Sequence, residues 1–250
     1  MSRLAELEPA LDLPPGYTLV ALRELGDAFA RGCDIAAQAG AGTLVWVRRY
    51  DLVEFSVVLE PDEPLVSARR AFFAGMNAVA DAIAAHCPPE REVSFGWPDA
   101  IRFDGGLLGG ARLGWPAHCG EADIPEWLVF AVILRAADMA HIEEVHAASG
   151  VSLLSEGFEM IDTEAIIGSF ARHLMTGFDR WNEHGFEPIA RDYLERLPKR
   201  KAGERRAIDL NGELLVKPPG GSGPPERTSL LDALAHVSWY DPQARGPKLG

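Results

Sequence analysis

Lysine is absent from the first 198 of 250 residues: the chain has four, Lys199, Lys201, Lys217 and Lys248, against 20 arginines. That excludes a Schiff-base lysine, a P-loop lysine or an adenylate-stabilising lysine anywhere in that stretch. Cysteine is scarce as well. Cys33, Cys87 and Cys119 have no C-x-x-C spacing and make no disulfide framework for a secreted scaffold. No run of about 18 or more apolar residues occurs, which excludes a membrane-spanning helix. Positive charge is in deficit, with 24 basic residues against 37 acidic ones and a formal charge of −13. A balance of that sign argues against general binding to nucleic acid or anionic membranes, where phosphate attraction needs cations. Internal repeats are missing, and low-complexity sequence is missing before residue 217. The opening MSRLAELEPALDLPPG mixes charge and proline without the apolar core of a signal peptide, so a reduced, cytoplasmic protein is expected.

What remains is enough apolar material for a large core, at 47% hydrophobic residues. Leu25, Phe29, Cys33 and Ala36 form one stripe of a helix over 24–39, with Gly40 as its stop. Thr43–Val47 and Phe55–Leu59 read as buried strands. Ser67–Ala85 reads as a long Ala-rich helix closed by Pro88-Pro89. Val93–Phe95, Ala100–Phe103, Leu107–Leu113 and Trp127–Leu134 then read as strands separated by turns. Ile166, Phe170, Leu174, Phe178 and Trp181 define a strong helix from Asp162, followed by a short one over Pro188–Leu197. Lys199–Arg206 is a basic linker and Asn211-Gly212 is a hairpin signal. Lys217–Glu226 (KPPGGSGPPE) is flexible, and Ser229-Leu-Leu-Asp232 caps a last helix. The expectation is an α+β fold, a mixed or antiparallel sheet covered by helices. It comprises a main domain over 1–198 and a small C-terminal appendage over 199–250.

The segment Val93–Leu113, VSFGWPDAIRFDGGLLGGARL, carries the chemistry signal. Trp97-Pro98-Asp99, an Asp104-Gly105 turn and Leu108-Gly109-Gly110 match, without gaps, the K-W-P-N-D, hairpin and R-K-L-A-G elements of the biotin and lipoate protein ligase family. The order of the surrounding helices and strands also resembles that family from about residue 17 to 197. The resemblance implies the fold shared with class II aminoacyl-tRNA synthetases. It implies a cofactor acid (biotin, lipoate or octanoate) as ligand, ATP and Mg²⁺ to make an acyl-adenylate, and a carrier-domain lysine as acceptor. Those steps build negative charge on carboxylate and phosphate oxygens, and preorganised cations must face it.

The departures fall on those cations. Leu107 stands at the lysine of R-K-L-A-G and Gly96 at the lysine before W-P-N-D. Asp99 and Ala100 replace the motif asparagine and aspartate. The arginine-glycine loop is missing, its place taken by Arg48-Arg49-Tyr50. Arg48 and Arg49 begin where that loop would, and Gly110-Ala111-Arg112-Leu113 resembles the G-A-K-I motif of the lipoyl and octanoyl transferases, with Arg112 in place of its lysine. Arginine binds carboxylate or phosphate well but aims its charge differently from lysine. The candidate catalytic residues are therefore Arg112 and Asp99, and the candidate ligand contacts are Arg48, Arg49, Trp97, Gly109 and Gly110, with no metal site.

Three functional readings follow. The first is an acid-activating ligase, with a carrier domain as partner and a homodimer as its assembly. The second is a non-catalytic relative that binds a ligand or carrier domain. The third is a cysteine-dependent acyltransferase using Cys119, for which the adjacent His118 is poorly placed, since neighbours on an extended chain point to opposite sides. His141 and His146, five residues apart, diverge by 140° on a helix and do not make a metal pair.

Overall fold

In the computed structural model, which describes residues 11–137, 151–158, 162–221 and 223–249, the strand-like runs join one sheet. Its elements in chain order are β1 (Thr18–Leu22), α1 (Ala28–Ala39), β2 (Thr43–Val47), β3 (Leu52–Leu59), α2 (Leu65–Ala68), α3 (Ala71–Ala84), β4 (Val93–Gly96), β5 (Ala100–Phe103), β6 (Gly106–Gly114), β7 (Leu128–Arg135), α4 (Thr163–His184) and α5 (Glu187–Arg196). The order across the sheet is β1-β2-β3-β7-β6-β5-β4. Only β1 and β2 run parallel, because α1 lies between them and a parallel pair needs such a crossover. Every other neighbouring pair is antiparallel. The fold is α+β, as the alternation of strands and helices predicts.

One face of the sheet carries the main core. In α3, every residue but Asp81 and Ala84 is buried, the expected state of a helix that is apolar all round. A Cβ on Gly75 would meet the Phe130 ring at 2.5 Å, so glycine here lets α3 lie flat on β7. Phe130 stacks on Phe170 of α4 with centroids 6.0 Å apart, and Phe170 meets Phe55 of β3 at 4.7 Å. Burying each such ring contributes roughly 1.5–3 kcal/mol. The stripe predicted for α4 is the one used: Ile166, Phe170 and Leu174 are buried, while Phe178 and Trp181 pack at its edge.

Local sequence sets the helix ends. Asp27 accepts from the Ala30 N–H at 2.8 Å and starts α1 three residues after the predicted Glu24. Asp162 caps α4 through the Ala165 N–H at 2.8 Å. The helix predicted over Ser67–Ala85 is two helices, broken at Arg69 and Arg70. Both arginines are buried, and they turn to Glu121 and Glu63 respectively, pairings a straight helix does not supply.

The C-terminal part contains β8 (Arg205–Ile208), β9 (Leu214–Lys217), β10 (Glu226–Thr228), α6 (Leu230–Ala235), β11 (Tyr240–Asp241) and β12 (Gly246–Pro247). β8 and β9 form the hairpin signalled by Asn211-Gly212, with Gly212 at φ +82°. Ser229 accepts from the Asp232 N–H at 3.1 Å and caps α6. No helix among the described residues is long and apolar enough to cross a membrane.

Candidate functional site

The sheet face opposite the main core is built in rows. Glu54, Ile133, Gly110 and Ala100 are cross-strand partners over β3, β7, β6 and β5. Ser56, Ala131 and Arg112 form the next row. Since side chains alternate faces along a strand, these residues share one surface. α1 covers the β2–β3 half of it: Ser56 Oγ donates to the Ala28 carbonyl at 2.7 Å, and Gly32 leaves that hydroxyl its space.

The other half is covered by the end of the chain. Trp239, 1% exposed, lies against Leu52, Ala100 and Ile133, with Leu107, Val237 and Tyr240 around them. A Cβ on Gly110 would come within 2.5 Å of the Trp239 Nε1 and 2.4 Å of the Asp99 carbonyl, so glycine makes room for the indole. The Trp239 N–H donates to the Asp99 carboxylate at 3.1 Å. Tyr240 lays its ring 3.8 Å from the Arg112 guanidinium carbon, and Phe29 of α1 stands 5.6 Å away on the same cation. Among the described residues, the Arg112 Nε is buried without a hydrogen-bond partner.

Asp99 occupies the turn between β4 and β5 and is 1% exposed. Its backbone carbonyl accepts from the Ala111 N–H at 2.9 Å, which ties the turn to β6. Burial pushes its carboxyl up to about 6, and the Trp239 N–H and the Arg112 charge pull it only partly back. The register shifts between Ile101 and Arg102, so that Arg102 pairs with Leu107 and Ile101 with Gly109. Leu107, which the ligase pattern aligns with a motif lysine, packs into the apolar cluster around Trp239.

The predicted site residues thus fall into separate places. Asp99, Gly110 and Arg112 come together beneath the C-terminal segment. Gly109 serves the backbone, because a Cβ there would lie 2.0 Å from the Ile133 carbonyl oxygen. Trp97 turns into the core, with its ring 5.8 Å from Phe73 and 6.0 Å from Tyr193. Tyr193 in turn donates to the Pro98 carbonyl at 2.8 Å.

Arg48 and Arg49 stand at the end of β2, on a cleft of about 1140 Å³ that is also lined by Arg23, Trp46, Tyr50 and Thr163. Arg48 is exposed. Arg49 is committed to Asp51 through two bonds of 3.0 and 2.7 Å and lies 3.7 Å from Glu54. Glu54 accepts from the Ala28 N–H at the start of α1, at 2.9 Å, and burial raises its carboxyl against the pull of that bond and of Arg49.

Sequence reasoning missed Glu54, Trp239 and Tyr240. The signals were an acid inside the apolar run LVEFSVVL and an adjacent Trp-Tyr pair in an otherwise Pro- and Gly-rich tail.

Cys119 lies apart from this face, with its Sγ 3.7 Å from the Asp123 carbonyl. Desolvation and the nearby acids Asp123 and Glu121 raise its thiol, the opposite of the depression a nucleophile needs. His118 beside it is exposed. His141 and His146 lie outside the described residues.

Comparison with known proteins places this geometry. The model of the biotin/lipoate A/B protein ligase family matches residues 13–195. A biotin–[acetyl-CoA-carboxylase] ligase of Paracoccus denitrificans is 25% identical over 228 residues, which cover 85% of this chain and 90% of that protein. Among solved structures, a biotin protein ligase-like protein of unknown function from Silicibacter sp. TM1040 superposes with a TM-score of 0.74 at 22% identity, covering 90% of this chain and 99% of the other. The biotin protein ligase of Aquifex aeolicus gives 0.61 at 14% identity over 86% and 96% of the two chains. At those identities the superpositions establish the fold.

Proposed function

The chain belongs to the biotin/lipoate A/B protein ligase family, and from that premise we propose that it binds a biotin-, lipoate- or octanoate-type carboxylic acid without activating it. The carboxylate anchor is Arg112, and the binding surface is the sheet face around Gly110, Ile133 and Leu52. The observation that carries this reading is the unpaired Nε of Arg112. Arg112 reaches the apolar face from β6, its Nε buried without an acceptor among the described residues, and a carboxylate supplies the bidentate partner that geometry invites.

The face around Arg112 does not fit ATP with Mg²⁺. A triphosphate needs several cations and backbone donors converging on it. Here the lysine position is Leu107, packed against apolar neighbours, and Arg49 is held by Asp51. No adenylation step is assigned to this site.

The second reading is an active biotin ligase that uses the acid, ATP and a carrier-domain lysine. It is favoured by the 25% identity that extends over 90% of the Paracoccus ligase. ATP–pyrophosphate exchange with biotin, lipoate and octanoate separates the two. Binding without activation gives no exchange with any of the three acids, together with a rise in melting temperature with at least one. Exchange above background with any of them, abolished by Arg112→Ala, establishes the ligase reading instead.

A further inference from the structure

The acid surface of the proposed function is not open. It is filled by the chain's own C-terminal segment, with Trp239 over Gly110 and Tyr240 over Arg112. We propose that residues 237–249 are a displaceable occupant of this face, and that a carboxylic acid binds by evicting Trp239 and Tyr240. The inference rests on the acid-binding reading above and specifies how that site is regulated.

The contacts divide into a well-satisfied part and an unsatisfied one. Indole and phenol rings complete the apolar cluster of Leu52, Ala100, Ile133 and Leu107. Of the charged groups beneath, Asp99 accepts the Trp239 N–H, while Arg112 is served poorly. Arg112 receives ring faces, and its Nε has no hydrogen-bond partner among the described residues. A ring face attracts a cation less strongly than a hydrogen-bonded carboxylate does. An acid with an apolar body replaces both layers at once, covering the same hydrophobic patch and pairing the guanidinium.

The attachment of the segment also suits release. β11 and β12 are two residues each and hydrogen-bond as strands with each other, while β12 packs on β6 and β7 without joining the main sheet. The Lys248 N–H donates to the Trp239 carbonyl at 2.8 Å, which closes the segment on itself. Its polar links to the rest of the protein include Arg135 Nη2 to the Pro247 carbonyl at 2.7 Å and Arg245 Nη2 to the Gly26 carbonyl at 2.7 Å. Upstream, β10 is paired with β9 and α6 is anchored by its buried Leu230, so the segment departs from a fixed point just after α6.

The full-length protein tests this by calorimetric titration with octanoate and lipoate, and by hydrogen exchange of residues 237–249 with and without acid. Trp239→Ala empties the indole site, and Tyr240→Ala uncovers Arg112 while keeping the indole. If the segment competes with ligand, either variant binds acid more tightly. The gain is about tenfold or more for Trp239→Ala, because a fractionally open site weakens apparent affinity by that fraction. Acid added to the wild type then speeds exchange in 237–249 while slowing it in β6.

Unchanged or weaker binding by folded variants, or acid that protects the segment from exchange, overturns the proposal. If no acid binds even to the Tyr240→Ala protein, the acid-binding reading itself fails. The mobility of the segment is then judged without ligand. Exchange of 237–249 well ahead of β6 and β7 supports a displaceable occupant, and exchange only on global unfolding overturns it.

Discussion

Replacing Asp99 by asparagine isolates the cost of a carboxyl group that the fold buries under an indole. The side chain is 1% exposed, and desolvation moves its pKa from an ordinary 3.8 to about 6. At about 1.4 kcal/mol per pH unit, that displacement corresponds to about 3 kcal/mol. The sign follows from proton binding. Between pH 4 and 6 the folded protein holds a proton on Asp99 that the unfolded chain has released, so stability falls as pH rises through this window. The neutral acid's contribution is fully present below about 3.8, and the cost is fully felt above about 6. Asp99→Asn does not titrate and keeps an oxygen to accept the Trp239 N–H. Stability relative to wild type is compared by urea unfolding at pH 4 and pH 8. The variant gains about 2–3 kcal/mol over the wild type between those two pH values, while the titrations of other groups cancel in the difference. A difference that stays flat with pH, or one that moves against the variant above pH 6, refutes the reasoning. The second outcome means that the ionised Asp99 makes a strong ion pair with Arg112, outweighing burial.

Two further substitutions probe the packing around that carboxyl group and the support of α1. Gly110→Ala places a methyl group within 2.5 Å of the Trp239 indole and the Asp99 carbonyl. It costs about 1–3 kcal/mol by overpacking and sends Trp239 toward solvent, read as a melting-temperature loss with a red shift in tryptophan emission. Glu54→Ala leaves the Ala28 N–H at the head of α1 without its acceptor. It lowers unfolding free energy by about 1–3 kcal/mol in urea, and Glu54→Gln, which keeps an acceptor, recovers most of that loss. Equal losses for the alanine and glutamine variants show instead that the negative charge facing Arg49 carries the effect.

Most of the main sheet was legible because its strands are short-range objects. Thr43–Val47 and Trp127–Leu134 announce themselves by apolar and β-branched content alone. The stripe of α4 is a property of one helix. β1 escaped because its five residues, TLVAL, follow prolines and are only partly buried, an edge strand with little to distinguish it. The break in the helix predicted over 67–85 escaped for a different reason: Glu121 and Glu63 stabilise it, and Glu121 arrives from far along the chain. Pairings at that separation leave no local trace. The same limit divided the candidate site. Asp99, Gly110 and Arg112 lie within one hairpin, so proximity in sequence sufficed to group them, whereas the 140 positions between Asp99 and Trp239 hid the indole that covers them.

That hidden partner changes what the missing lysine means. Leu107 is half-buried against the apolar cluster of Leu52, Ile133 and Trp239, and an ammonium at 107 must leave that contact for solvent, since holding an unpaired charge against it costs several kcal/mol. Leucine at 107 and tryptophan at 239 are therefore compatible with each other, where lysine and tryptophan are not. The surface that lacks the motif lysine is the surface that accepts the tail. Leu107→Lys accordingly loosens the Trp239 packing before it can restore any chemistry, and a lysine restored at 107 needs the tail's aromatic pair removed as well.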